Sequence, residues 1–238
     1  MFRSVFSIVL SLVVALNFSF TQTQKRTIPS FPAHTRNSFF SHVNFGVSAG
    51  LGISLFNSPD LVDYLNTHGV SNTVGEFQSA PEFFTALEIP LSENYGVKLE
   101  YAHLFTTYIL YTPYQSDEEY TVKMPMLLVQ KLFPDSITMV KLGVGAGYHF
   151  VTFDETIFGN TTRYTTEGVG FKGEMEINAA LSEALFAYIA GDVRFDFFQT
   201  LRSTHRVTYP IPYGNTLFRN PTFSFIALGL KLGVIVYL

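Results

Sequence analysis

The chain has 238 residues, of which 47% are hydrophobic, 16% aromatic and only 14% charged, against roughly 25% charged in an ordinary soluble domain. Beyond the N-terminus no run approaches the ~18 to 20 consecutive apolar residues of a spanning helix, which excludes a helical membrane protein. With 15 Lys and Arg against 19 Asp and Glu, a strongly basic nucleic-acid binder is excluded as well. The remaining way to satisfy every backbone group in lipid is a closed β-barrel.

Arg3 followed by the apolar run Val5 to Leu16 reads as a signal peptide over residues 1–21, with cleavage expected between Ser19 and Gln24. Residues 22–42 show no sustained period and read as a periplasmic tail or linker; the barrel is expected over 43–238. The chain contains no Cys, so a lipoprotein anchor, disulfides, thiolate metal sites and Cys nucleophiles are all excluded.

From Val43 a period of two sets in, the signature of a strand with two unlike faces. In the first segment Val43, Phe45, Val47, Ala49, Leu51, Ile53 and Leu55 alternate with small or polar residues. The second, 82–91, carries Phe83, Leu87, Ile89 and Leu91 on one face. The third sets Val97, Leu99 and Tyr101 against Lys98, Glu100 and Ala102, and the turn at 92–95 makes the pair a hairpin. The fourth, 120–131, sets Val122, Met124, Met126 and Leu128 against Thr121, Lys123 and Lys131, with Pro125 inside it.

Val140 to Phe150 form the fifth segment, alternating with Lys141, Gly143, Gly145, Gly147 and His149. The sixth sets Val169, Phe171, Met175 and Ile177 against Lys172, Glu174, Glu176 and Asn178. The seventh sets Ile189, Val193, Phe195 and Phe197 against Asp192, Arg194 and Asp196. The eighth, Ile226 to Leu238, alternates with Ala227, Gly229, Lys231, Gly233 and Tyr237.

Thirteen charges fall in these segments: Glu88, Lys98, Glu100, Lys123, Lys131, Lys141, Lys172, Glu174, Glu176, Asp192, Arg194, Asp196 and Lys231. All lie opposite the apolar face, seven positive and six negative, which is the balance a packed, ion-paired interior requires, since an unpaired buried charge is costly. The links at 92–95, 132–136 and 182–184 are short, and those at 56–81, 112–119, 154–163 and 198–221 are long. Short periplasmic turns alternating with long extracellular loops predict an all-β, eight-stranded, antiparallel up-and-down transmembrane barrel.

The signal peptide, eight amphipathic segments and alternating links resemble the small eight-stranded outer-membrane barrels, the OmpA/OmpX/OmpW-like group. The last eight residues are similar to that group's barrel-assembly signal, with Lys231, Gly233, Val236 and Leu238 in its marked positions and Leu238 where Phe is usual. Trp is absent, leaving Tyr95, Phe133 and Tyr237 for the lower aromatic girdle and Tyr111, Tyr120, Phe153, Tyr164 and Phe223 for the upper. The resemblance implies outer-membrane localisation in a Gram-negative-type envelope. It also implies outer-membrane lipid, lipopolysaccharide and the assembly machinery as partners.

An eight-stranded lumen is just wide enough to be filled by side chains. Lys98, Glu100, Lys123, Lys141, Lys172, Glu174, Glu176, Asp192, Arg194, Asp196 and Lys231 are expected to form one ion-pair network plugging it. His103 falls on the lipid side by parity, where an ionisable group is expensive; a bulge near Ala102, turning it inward, is expected. No His begins a His-x-Ser spacing, so no enzyme is expected, a lipid-modifying barrel enzyme being the alternative left open, and neither metal nor cofactor. Gly143, Gly145 and Gly147 sit mid-strand and are small inward residues rather than a phosphate loop.

Specific function is expected in the long loops. Residues 61–66 could form a short helix, and Arg202, His205, Arg206, Tyr209 and Tyr213 are candidate contacts for lipopolysaccharide or a surface partner. The leading expectation is a monomeric structural or surface-interaction barrel that binds no nucleic acid. Transport of small hydrophobic molecules through a lateral opening, using space beside the lumen glycines, and a narrow ion channel are the alternatives.

Overall fold

A computed structural model describes residues 45–68, 75–111, 115–135, 138–182, 184–203 and 222–238. The expected signal peptide, the expected tail and the loop residues His205, Arg206, Tyr209 and Tyr213 lie outside them. In chain order the elements are β1 (Gly46–Asn57), α1 (Pro59–His68), β2 (Gln78–Pro90), β3 (Tyr95–Tyr111), β4 (Gln115–Pro134), β5 (Thr138–Ile157), β6 (Asn160–Ala180), β7 (Leu185–Phe198), β8 (Arg202–Ser203) and β9 (Phe225–Tyr237). Each strand from β1 to β7 pairs antiparallel with the next, β7 pairs with β9, and β9 closes the ring on β1 with Leu51 opposite Leu232. The result is a closed, eight-stranded, up-and-down barrel. The two-residue β8 is an appendage on the edge of β6.

Strand parity sorts the side chains. Leu51, Ile53, Leu99, Leu127, Val144, Phe171, Phe197 and Leu230 stand exposed on the outer wall, while most strand glycines and most strand charges face the lumen. Such an apolar outer wall is stable only against lipid.

In β4 the expected faces are exchanged. Met124, Met126 and Leu128 are buried in the lumen, and Lys123 and Lys131 are exposed on the outer wall. Both faces of β4 are apolar near its middle, so periodicity could not choose between them; the neighbouring strand does. Met126 and Leu128 lie opposite Gly147 and Gly145 of β5 and fill the space that those glycines leave. Lys123 and Lys131 then bracket the lipid-facing residues Pro125, Leu127 and Val129, and their long stems carry the ammonium groups towards the two interfaces. Lys123 therefore does not belong to the lumen network.

His103 stays outside as well. Pairing runs unbroken through Phe83, His103 and Lys123 on β2, β3 and β4, so the expected bulge near Ala102 is absent. The row sits where the outer wall passes from apolar to polar residues, with Thr107, Asp117 and Glu119 exposed beyond it.

Two of the expected long loops are strand instead. β3 and β4 continue on either side of residues 112–114, and β5 and β6 meet in a two-residue turn at Phe158 and Gly159, both with positive φ, the backbone twist that suits a tight hairpin. The period-two signal ends where both faces of a strand turn polar, with Asp117 and Glu119 outside and Glu118 and Glu155 inside, but the backbone ladder does not. Strands β3 to β6, of 17 to 21 residues, thus form a raised wall over β1, β7 and β9, of 12 to 14.

Candidate functional site

The lumen is built in three layers. At the short-turn end Leu132, Met139, Phe186, Ile235 and Tyr237 close an apolar floor, with the rings of Phe186 and Tyr237 edge to face at 5.3 Å. Tyr237 therefore faces inward rather than into the lower girdle, which is left with the exposed Tyr95 and Phe133. A void of about 10 Å³ lies between this floor and Lys141, no more than a water's worth of space.

Above the floor runs a continuous chain of ion pairs. Lys141 pairs with Glu88 and, at 2.6 Å, with Glu176. Lys98 donates to Glu176 at 3.0 Å, Glu174 at 2.6 Å and the Tyr188 hydroxyl at 2.9 Å, which commits all three of its ammonium hydrogens. Lys172 joins Glu174 to Glu100, and Lys231 joins Glu100 at 2.6 Å to Glu82 at 3.1 Å. Arg194 ends the chain, donating to Glu82 at 2.5 Å and Ser54 and pairing with Asp192 at 2.9 Å. Asp196 stands apart, its carboxylate against the imidazole of His149.

Of the residues expected in the lumen, the structure brings together Lys98, Glu100, Lys141, Lys172, Glu174, Glu176, Asp192, Arg194 and Lys231, all buried; Asp196 is buried too but lies outside the chain, beside His149. Glu82 was missed, although its parity with Glu88 on the second segment marks it as inward. With Glu82 inside and Lys123 and Lys131 outside, the described residues bury five Lys and Arg side chains against eight carboxylates, Glu118 being the eighth.

The third layer is apolar and aromatic. Ser58 and Pro59 stand where a helix start favours them, with Asp60 in the first turn. The helix so begun, α1, lays Leu61, Tyr64 and Leu65 against Phe56, Tyr120, Phe153 and Phe223. Tyr120, Phe153 and Phe223 were expected on the upper girdle and are inside it instead; Tyr164 packs against the same cluster, and the side chain of Tyr111 lies outside the described residues. Asp60 accepts the Thr222 backbone N–H and hydroxyl at 2.9 Å each, and the Tyr64 hydroxyl donates to Glu155 at 2.7 Å. These bonds tie α1 into the mouth of the barrel. Burial and the Glu155 and Glu118 carboxylates hold the Tyr64 hydroxyl well above its ordinary pKa.

The lumen glycines are contact points rather than empty space. A Cβ on Gly170 would strike the His149 ring and the Asp196 carboxylate, and one on Gly145 would strike Leu128 and the β4 backbone. Among the described residues no group of three His, Asp or Glu could hold a metal.

Of the assembly-signal positions, Lys231 is buried in the network, Gly233 packs on the backbone of Ala49 and Gly50, Val236 is half-buried and Leu238 is exposed, its N–H donating to the Phe45 carbonyl. Arg202, expected in a loop, is on β8 and exposed.

Closed ring, lipid-facing outer wall and filled interior together define a small membrane β-barrel of the outer-membrane type. The chain is similar to outer membrane protein OprG of Pseudomonas aeruginosa, with 13% identity over 82% of this chain and 96% of that one and a TM-score of 0.53. It is also similar to Neisserial surface protein A (10% identity, 82% and 97%, TM-score 0.47) and to Ail of Yersinia pestis (9%, 82% and 99%, TM-score 0.47). No protein-family model matches the chain, and no curated protein matches it.

Proposed function

We propose that the protein is a sealed, monomeric barrel of a Gram-negative-type outer membrane, acting through surface contacts at its extracellular end. One observation carries the reading: floor, ion-pair chain and α1 follow one another along the lumen, and the ammonium hydrogens of Lys98 are spent on fixed partners. A selective ion path needs ligands that can exchange, and a lateral route for small hydrophobic molecules needs the glycine space that Met126, Leu128 and His149 occupy. The reading assigns no enzymatic role, cofactor or nucleic acid. Its partners are outer-membrane lipid and lipopolysaccharide, and the assembly machinery that takes the C-terminal strand.

Reconstitution into planar bilayers tests it. Wild-type protein should give no stable unitary currents. Currents whose ion selectivity changes in Arg194→Glu or Glu174→Lys would overturn the reading.

A further inference from the structure

Where β7 gives way to β8 the ladder on β6 slips by one residue. Phe198 lies opposite Gly168, but Arg202 lies opposite Thr165, so three residues on one strand face two on the other. The Gln199 N–H donates to the Glu167 carbonyl at 3.0 Å and the Thr166 hydroxyl to the Gln199 carbonyl at 2.6 Å, fixing the start of this bulge. Because parity alternates, an unbroken strand would send Arg202 into the lumen with Asp196 and Phe198. The bulge turns it onto the outer wall instead, which is the re-aiming that such bulges perform beside binding sites.

What Arg202 meets there is a cleft of about 370 Å³, open to the outside. Its walls are Phe150 and Thr152 of β5, Thr165 and Glu167 of β6, and Thr200 and Arg202. Among the described residues neither Arg202 nor Glu167 closes an ion pair; the Glu167 carboxylate accepts from the Tyr148 hydroxyl below it, so Arg202 is the charge the cleft leaves uncommitted. Phe150 is exposed and lies opposite Lys123, which is also exposed.

The cleft also has a definite height. Below it Tyr148, Val169, Phe171 and Phe197 are exposed apolar wall, and above it the Asp154–Arg163 pair stands in water. It therefore spans the level at which lipid headgroups meet acyl chains.

We propose that this cleft binds the phosphorylated sugar headgroup of an outer-leaflet glycolipid. Arg202 offers two parallel N–H donors to a phosphate, the geometry in which guanidinium exceeds ammonium. The hydroxyls of Thr152, Thr165 and Thr200, with the Glu167 carboxylate, match the mixed donors and acceptors of a sugar. The Phe150 ring covers the apolar face of that sugar, and the acyl chains continue down over Val169, Phe171 and Phe197. A glycerophospholipid could engage Arg202 but offers fewer hydroxyls than a sugar to the three threonines. The proposal rests on the lipopolysaccharide-contact part of the function proposed above and not on the sealed lumen.

The test is native mass spectrometry of the full protein extracted in detergent. It is titrated separately with rough-type lipopolysaccharide, with the deacylated phosphorylated oligosaccharide of the same material, and with phosphatidylglycerol. Wild type should retain the lipopolysaccharide in preference to the other two, and Arg202→Gln should weaken that retention by on the order of tenfold. Arg202 is exposed, so the variant is expected to fold, as unchanged heat-dependent gel mobility would verify. Thr165→Val, which removes a hydroxyl and no charge, should weaken lipopolysaccharide binding while leaving phosphatidylglycerol binding alone. Equal retention by the folded variants, or equal binding of phosphatidylglycerol, would overturn the proposal. Binding of the free oligosaccharide as tight as that of the whole glycolipid would reassign the cleft to soluble saccharides and overturn it too. Bilayer conductance of the same preparations reports on the sealed lumen, so the two readings fail separately.

Discussion

Arg194 of β7 reaches Glu82 of β2 at 2.5 Å, although β1 and β9 stand between their strands in the ring. The contact crosses the lumen and joins two sides of the wall that share no backbone hydrogen bonds. Removing Arg194 leaves Glu82 with one cation among the described residues, Lys231 at 3.1 Å, and takes the close cation from Asp192, whose next ones stand at 3.7 and 3.9 Å in a dry interior. Arg194→Ala is therefore expected to cost about 3 to 5 kcal/mol, the range for breaking a buried pair. The paired replacement Arg194→Met with Glu82→Leu should recover most of that loss. Urea titration of the protein folded in lipid vesicles measures both, and a double variant no better than Arg194→Ala would sink the account.

Gly170 supports a second test. A methyl group there meets the His149 ring and the Asp196 carboxylate together, and an overfilled core costs about 1 to 3 kcal/mol. Gly170→Ala should lose that much in the same titration, and His149→Ser should restore part of it by clearing the ring. If Gly170→Ala unfolds at the wild-type urea midpoint, the packing described around His149 is wrong.

The barrel itself was legible because lipid outside and a narrow lumen inside impose opposite demands on alternate residues. That contrast marked β1, β3, β5, β6, β7 and β9 clearly. It failed in β4, where the inward side is apolar too because the glycines of β5 leave room for Met126 and Leu128. It also failed above the membrane: Tyr120 and Phe153 look like interfacial aromatics in sequence but belong to the cluster around α1, since only the folded helix makes that space dry. Glu82 was available to parity and was passed over. The bulge after Phe198 was not, for it has no residue signature and follows from the ladder alone.

The exchange of faces in β4 has its own consequence. Leu127 stands midway between Lys123 and Lys131 on the lipid side, so Leu127→Arg should cost about 2 to 4 kcal/mol and Lys123→Leu about 1 kcal/mol or less. Were β4 turned the other way, Leu127→Arg would enter a polar lumen. Vesicle refolding separates the cases, and equal effects of the two substitutions would count against the orientation described here.

Tyr64 links the mouth of the barrel to alkaline pH. Its hydroxyl is kept protonated in the folded state, first by burial and then by Glu155 and Glu118, so its folded pKa lies above the unfolded value near 10. A group raised in this way stabilises the fold fully below its unfolded pKa and progressively less as pH climbs beyond it. The docking of α1 should therefore hold through neutral pH and loosen above about pH 10. Tyr64→Phe gives up the 2.7 Å bond to Glu155, at a cost of about 1 kcal/mol near neutrality, but removes the ionisable group. Its α1 should be easier to cleave than wild type at pH 8 and should show less further loss between pH 10 and 11. Limited proteolysis followed by mass spectrometry reads both changes, and an identical alkaline opening in the two proteins would exclude Tyr64 as its cause.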